Sequence, residues 1–296
     1  MLRRDFLRRT ASGLAATWVA SKAAPAAALP LAGLTDTPAT GKHRAHDEVV
    51  LGRTGIRTSR LAMGTGTIGG GGASNQTRMG TSPFVTLLLD GYHENGLRFF
   101  DTADSYGSHP YVASAIKQLP RDKVTVMTKT DDRDPAGVRQ DLDRFRRELG
   151  TDYIDIVLIH CTTEGDWTTR YRGVMDVLSE AKQKGVIRAH GVSCHTIQAL
   201  RAAAAASDWV DIDLVRLNPV GAHMDADANT VIDVVKQMKK AGTGIVGMKI
   251  LGQGALRDRP SEGIRFALNS GVLDAFTIGA ENRKEQNDLT QRIATA

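Results

Sequence analysis

The sequence predicts an α/β protein, a single (β/α)8 barrel of the TIM type with a short N-terminal β-hairpin. Three observations carry that reading. Apolar runs begin near Leu61, Leu97, Val124, Ile154, Arg188, Asp213, Gly244 and Asp274, eight in all and about 30 residues apart, the length of one βα unit. Amphipathic segments lie between them, and Gly96, Gly150, Gly185, Gly242 and Gly271 each close such a segment just ahead of an apolar run. Glu48 to Ala296 spans 249 residues, matching the roughly 250 of a closed barrel. Strands alternating with helices imply a parallel sheet, and a doubly wound open sheet is the alternative arrangement.

Taken in chain order, the first 28 residues separate on composition. Arg3-Arg4-Asp5-Phe6-Leu7-Arg8 precedes a small apolar stretch, Thr10 to Ala20, and then Ala26-Ala27-Ala28. That is a basic region, a short hydrophobic region and a small-residue cleavage site. The apolar stretch is about half of the roughly 20 residues a membrane span needs, so no stable membrane anchor is expected. Paired arginines followed by x-Phe-Leu-Arg look like a twin-arginine export signal, whose machinery carries folded proteins to the periplasm or beyond. Residues 29–47, rich in Ala, Pro and Thr, read as a linker without core. Residues 49–56 read as a hairpin that turns near Thr54-Gly55 and plugs the N-terminal mouth. Ser82-Pro83 and Asp134-Pro135 place a capping side chain before a proline at the first helical position and mark two helix starts.

Composition narrows the function classes. The 296 residues are 41% hydrophobic and 24% charged, ordinary globular material. Five of the 38 cationic residues and one of the 33 anionic ones fall in the first 28, so the remainder carries a net charge of only +1. A nucleic-acid partner is therefore not implied. Cys161 and Cys194 are too few for a disulfide framework and lack metal-site spacing, so no metal is expected. They follow neighbouring strands about 4.8 Å apart, which permits a disulfide without requiring one.

In a (β/α)8 barrel the reactive groups collect where strands end. LRFF ends in Asp101, VTVMT in Lys129 and IDIVLI in His160, while Tyr106 lies five residues beyond Asp101. Alone, each is the point where an apolar strand meets water. Together they suit carbonyl reduction, in which a developing alkoxide needs a proton and a phenol with a pKa near 10 is a poor donor without help. A lysine about 4 Å away, at an effective dielectric of about 20, favours the phenolate by about 4 kcal/mol, near three pKa units at most. Asp101 would neutralise the buried ammonium, and His160 would direct an N–H at the substrate oxygen.

Residues 99–107, FFDTADSYG, resemble the segment of the aldo-keto reductases that carries their Asp and Tyr. Thr128-Lys129 and Ile159-His160 are similar to the Lys and His positions, and Leu51-Gly52-Arg53-Thr54-Gly55 and Met63-Gly64-Thr65-Gly66 to the opening; the similarity runs from about 49 to 285. The resemblance implies an oxidoreductase using NADP(H) or NAD(H), with Tyr106 as general acid/base tuned by Asp101 and Lys129. It implies cofactor contacts at Gly64, Thr65, Gly66, Ser193, Met248, Lys249, Leu251, Gly279 and Asn282. Cys194 stands where the family usually has an asparagine, Asn218 is the substitute amide, and Met248 replaces a stacking aromatic. Arg283 and Lys284, at a helix N-terminus, would bind a 2′-phosphate and favour NADP(H), whereas Glu281 would repel it. The implied partner is a small carbonyl or alcohol.

Smaller features complete the list. The GTGTIGGGG stretch, Gly64 to Gly72, lies after strand one and reads as a flexible lip of the site rather than a dinucleotide fingerprint. Trp167 would line a substrate pocket or simply pack the loop. Arg216, Asn218, His223 and Asp225 form a polar cluster that faces substrate or satisfies its own loop. The chain ends soon after the last expected helix, so an open, shallow site is expected. Competing readings are a non-catalytic binding protein on the same scaffold and a non-redox lyase or isomerase.

Overall fold

A computed structural model describes residues 43–296, so the expected export signal and most of the expected linker lie outside the described residues. Eight parallel strands close into a barrel: β3 (Leu61–Gly64), β4 (Phe99–Asp101), β5 (Thr125–Thr130), β6 (Ile154–Thr162), β7 (Ile187–Cys194), β8 (Ile212–Arg216), β9 (Gly244–Met248) and β10 (Ala275–Ile278), with β10 pairing back to β3. Each begins within two residues of the position expected from the sequence. Two further strands, β1 (Glu48–Val50) and β2 (Arg57–Ser59), form the antiparallel N-terminal hairpin.

Side chains alternate along each strand between two packed layers. Phe99, Met127, Ile156, Leu158 and Val246 fill the barrel interior, while Phe100, Val126, Val157 and Val192 face the helices outside. The hairpin closes the N-terminal end of that interior, because Leu51 and Ile56 are fully buried within the inner layer. Gly52 permits the approach: at φ +50° its Cα lies so close to the chain that a Cβ would stand 2.3 Å from the Gly244 nitrogen. Arg53 then donates from its backbone to Gly242 O at 2.7 Å and from its guanidinium to Ser207 O and Asp208 O.

The helices mostly obey their sequence signals. Residues α1 (Asn75–Arg78), α2 (Thr81–His93) and α3 (His109–Ile116) follow β3 and β4, and α4 (Pro135–Leu149) follows β5. Asp134 caps α4 by accepting from the backbone N–H groups of Ala136 and Gly137. Ser82 departs from expectation: α2 starts two residues earlier, at Thr81 behind Gly80, and no side chain caps it. The remaining helices are α5 (Trp167–Arg170), α6 (Arg172–Gln183), α7 (Ile197–Ala205), α8 (Ala228–Lys240), α9 (Pro260–Asn269) and α10 (Arg283–Ala294).

The expected linker boundary also moves. Ala45 is buried in the outer core and its carbonyl accepts from Leu61 N at 2.9 Å, while Asp47 O accepts from Arg60 N at 2.9 Å. Backbone hydrogen bonding thus recruits the last residues of the Ala/Pro/Thr-rich stretch into the barrel.

One buried group works against stability. Asp213 sits in β8 on the outer face beside the Cys194 thiol, with neither carboxyl oxygen hydrogen-bonded among the described residues. Burial, aided by neighbouring Asp225, pushes its carboxyl up to about 8. Because the folded value is raised above an unfolded value near 4, the contribution is fully present below about pH 4 and is lost as pH rises through 8. We predict that Asp213→Asn gains on the wild type by about 1.4 kcal/mol per pH unit between pH 5 and 7, measured by denaturant midpoints. Parallel pH curves for the two proteins would refute this.

Candidate active site

Period-two alternation places the ionisable residues above the inner layer. Phe99 and Asp101, Met127 and Lys129, and Leu158 and His160 are each two residues apart, so all three polar groups point inward at the C-terminal mouth. Lys129 is fully buried, and its ammonium donates to Asp101 Oδ1 at 2.6 Å and to Thr102 O at 2.7 Å. An isolated ammonium there would cost several kcal/mol, and these two acceptors offset that cost. Burial lowers the Lys129 pKa, but the charge of Asp101 and the Tyr106 phenol outweigh it, and the group stays cationic.

Tyr106 ends a 3-10 turn, Asp104–Tyr106, that leaves β4. Gly107 ends the turn at φ +64° with its Cα so close to the Gly64–Gly72 lip that a Cβ would stand 2.0 Å from Gly72 O. The lip lies flat against the phenol as well, since a Cβ on Gly66 would stand 2.3 Å from the ring. Lys129 Nζ is 4.8 Å from the Tyr106 ring centroid, and the His160 ring meets Tyr106 edge-on at 5.7 Å. The structure thus brings Asp101, Tyr106, Lys129 and His160 together.

The phenol's acidity departs from the sequence expectation. Burial raises the Tyr106 pKa, Lys129 opposes the rise and Asp101 adds to it, leaving the phenol above its ordinary value. With Asp101 neutralising the cation and the ring desolvated, the phenol gets none of the lowering that was the upper limit from the sequence. Tyr106 is consequently a protonated donor at neutral pH.

His160 is aimed by a bulge, for the pairing of β6 with β7 slips between Ile159 and Thr162, and Cys161 takes φ +48°. Its Nδ1 lies 2.7 Å from Asp131 Oδ1, a residue in the loop after β5 that the sequence reading missed. The signal available was an acid two residues beyond a strand-end lysine. Burial, then the Lys129 charge, holds His160 below the ordinary histidine value despite Asp131. Arg133 donates to the His160 carbonyl.

A charged frame holds the Tyr106 turn. Arg144 binds both oxygens of Asp104 at 2.7 and 2.8 Å and also Asp141 at 2.6 Å, while Thr130 donates to Asp141 at 2.6 Å. Beneath the turn, Ser108 links Thr65 and Thr102 at 2.8 and 2.5 Å.

The expected cofactor residues divide. Ser193 faces inward with its buried hydroxyl unpartnered. Met248 caps the inner layer, and Lys249, at φ +57°, is half-buried without a carboxylate partner among the described residues; burial, then Arg216, lowers its pKa. Leu251 is half-buried nearby. Thr65 is committed to Asp101 O at 2.8 Å. Gly64 and Gly279 meet so closely that a Cβ on Gly64 would lie 2.9 Å from Gly279 N, and Gln76 donates to Ala280 O.

Other assignments fail on geometry. Cys194 points outward, because Ser193 points inward, so its thiol cannot grip a nicotinamide. Asn218 spends its amide on Ala222 O, Lys249 O and the backbone N–H groups of Val220 and Ala222. Asn282 caps α10 by accepting from Glu285 N at 2.9 Å. Arg283 pairs with Glu94, the residue that follows α2, and lies 3.8 Å from Asp90 on α2, whereas Lys284 is exposed. Trp167 is fully buried and donates to Ala199 O at 3.1 Å, so it packs the loop and lines no pocket. Arg216 binds Asp225 and donates to His195 O, and His223 is exposed. Both cysteines are free, Cys161 exposed and Cys194 buried.

A closed parallel barrel thus carries an Asp-Tyr-Lys-His cluster at its C-terminal mouth. The aldo/keto reductase family profile matches residues 60–288, and the chain belongs to that family. It is 32% identical over 169 residues to the NADH-specific methylglyoxal reductase of Escherichia coli K12, covering 49% of this chain and 51% of that protein. It is 25% identical over 220 residues to L-galactose dehydrogenase of Arabidopsis thaliana, covering 71% and 66%. The chain spans about half the length of the first curated relatives it matches. A Pseudomonas aeruginosa protein ascribed to the aldo-keto reductases shares the fold at TM-score 0.71 and 21% identity, over 86% of this chain and 98% of that one.

We predict that Asp101→Asn, which strands the Lys129 ammonium, lowers stability by about 3–5 kcal/mol in denaturant unfolding. A loss under about 1 kcal/mol would show that the ion pair carries no such weight.

Proposed function

We propose that this protein interconverts a small carbonyl compound and its alcohol with a nicotinamide dinucleotide, Tyr106 exchanging the proton. The observation that carries the reading is the buried Lys129 ammonium held between Asp101 and the Tyr106 ring. A protonated phenol beside a fixed cation can give its proton to a developing alkoxide, and the cation stabilises the phenolate left behind. Family membership supports the same reaction class, and the two named relatives are a reductase and a dehydrogenase.

The residues present fit the dinucleotide. Among the described residues Ser193 Oγ is a buried hydroxyl without a partner inside the mouth, suited to a carboxamide, and Lys249 is a half-buried cation without a carboxylate partner, suited to phosphate. Bound there, the dinucleotide would supply or accept hydride. The preference for NADP(H) expected from the sequence now rests on Lys284 alone, since Arg283 is committed to α2; NAD(H) is the alternative, and the E. coli relative is NADH-specific. A dinucleotide-poor binding role is the second reading, favoured by the outward Cys194 and the committed Asn218.

Residues 1–28 support a proposal of twin-arginine export to the periplasm or beyond. The dinucleotide is scarce there, so it would be loaded before export and retained. Dinucleotide found in protein recovered from that compartment fits this; empty, inactive protein does not.

We predict that purified protein oxidises NADPH or NADH in the presence of aldehydes, ketones or sugars, followed by absorbance. Tyr106→Phe should abolish turnover while dinucleotide binding stays within about threefold. Turnover retained in Tyr106→Phe would remove the phenol from its role. Lys284→Ala should weaken NADPH binding by about tenfold and leave NADH unchanged, as expected for the loss of one exposed phosphate contact.

A further inference from the structure

We propose that Gln76 is a positioning residue for Tyr106, its carboxamide seating the Gly66–Gly69 turn of the lip against the phenol ring and tying that turn to the loop that precedes α10. The inference rests on the proposed carbonyl–alcohol chemistry, in which Tyr106 exchanges the proton.

The glycine content of the Gly64–Gly72 lip predicts a flexible segment, but its contacts pin it. Every polar group of Thr67 is bonded to the start of α1. Its N–H donates to Gln76 Oε1 at 3.0 Å, its hydroxyl accepts from Gln76 Nε2 at 2.8 Å, and its carbonyl accepts from Asn75 N at 2.9 Å. That grip holds the next residue, the β-branched Ile68, at φ +48°, a left-handed conformation that favours glycine. Gly69 N then closes a tight turn on Gly66 O at 3.0 Å.

The turn is shaped to the phenol. A Cβ on Gly66 would stand 2.3 Å from Tyr106 Cε2 and one on Gly69 would stand 2.7 Å from Cδ1, so both backbones lie directly on the ring. Farther along the lip, Gly72 N donates at 2.8 Å to the carbonyl of Ser105, the residue before Tyr106.

Gln76 also reaches the other way. It is fully buried, and Nε2 donates to Ala280 O at 3.2 Å, between β10 and α10. Asn75 adds a parallel tie by donating to Glu281 Oε1 at 2.7 Å. Since Oε1 takes a backbone N–H and Nε2 gives its protons to two oxygens, a primary amide is what fits here. A carboxylate lacks the donors, and an apolar side chain would deprive Thr67 N–H and Ala280 O of these partners.

Lip, phenol and the loop before α10 thus form one unit. A turn that owes its seat to one buried amide aims Tyr106 and keeps water from its ring, and whatever orders the loop before α10 also steadies the proton donor. The titratable groups facing the phenol are Lys129, Asp101, Cys161 and His160, and none is bonded to Gln76. Removing the carboxamide therefore changes the access of water and leaves the charges in place.

The test uses the full chain carrying 13Cζ-tyrosine, without ligand, with Tyr106 identified by the resonance lost in Tyr106→Phe. In Gln76→Leu, which keeps the bulk and removes the amide, Tyr106 should titrate about one pH unit below the wild type as water reaches the ring. Thr67→Val, which loses only the hydroxyl, should shift it the same way by less, and it decides the matter if Gln76→Leu does not fold. A Tyr106 titration unchanged in the folded variants would overturn the proposal and leave Gln76 a packing residue. In turnover, kcat of Gln76→Leu should fall about tenfold while KM for the carbonyl compound stays within about threefold, because a misaimed donor costs contacts made in the transition state. A raised KM with kcat unchanged would also overturn it. Absence of turnover with every alcohol and carbonyl tried would count against the proposed function, and the titration would then decide the role of Gln76 by itself.

Discussion

The buried ion pair between Lys129 and Asp101 is the constraint on which the site depends. Neither charge would be tolerated alone at that depth, and their 2.6 Å contact fixes the ends of β4 and β5 against each other. With Nζ bound to Asp101 and Thr102 O, the ammonium has one proton left for the phenol. The pairing also limits what the lysine can do. A neutralised cation stabilises the phenolate when it forms but does not ionise the phenol beforehand, so the resting site holds its proton.

Around that pair the barrel acts as a rigid mount. The inward side chains of β4, β5 and β6 stack on a closed apolar layer, plugged below by the Leu51 and Ile56 hairpin. Tyr106 is set by shape as well as charge. Glycines on the lip leave room for its ring, and Arg144 clamps the turn that carries it through Asp104. The bulge in β6 then swings His160 toward the phenol and Asp131 at once.

Much of this was legible in the sequence because it is periodic. Strands of a parallel barrel are continuous apolar runs, so a charge at the end of one stands out, and three such charges on consecutive strands mark one rim. The same alternation separates Ser193 from Cys194: if one faces the mouth, the other cannot, a distinction that family similarity alone obscures. What was not legible depends on loops. Nothing local foretells that Asn218 folds its amide back on Ala222, or that Arg283 finds Glu94, 189 residues earlier at the end of α2. Asp131 lay hidden among several loop acids, and only the bulge shows which of them reaches His160.

The chemistry of the site depends on the Lys129 ammonium acting directly on the Tyr106 phenol in a desolvated setting. The most direct measurement is the pH titration of the Tyr106 Cζ resonance in protein carrying 13C-tyrosine, in the wild type and in Lys129→Met. The phenol is predicted to titrate above its ordinary value near 10 in the wild type, and higher still once the cation is removed. Titration at or below the ordinary value, or no difference between the two proteins, would contradict it.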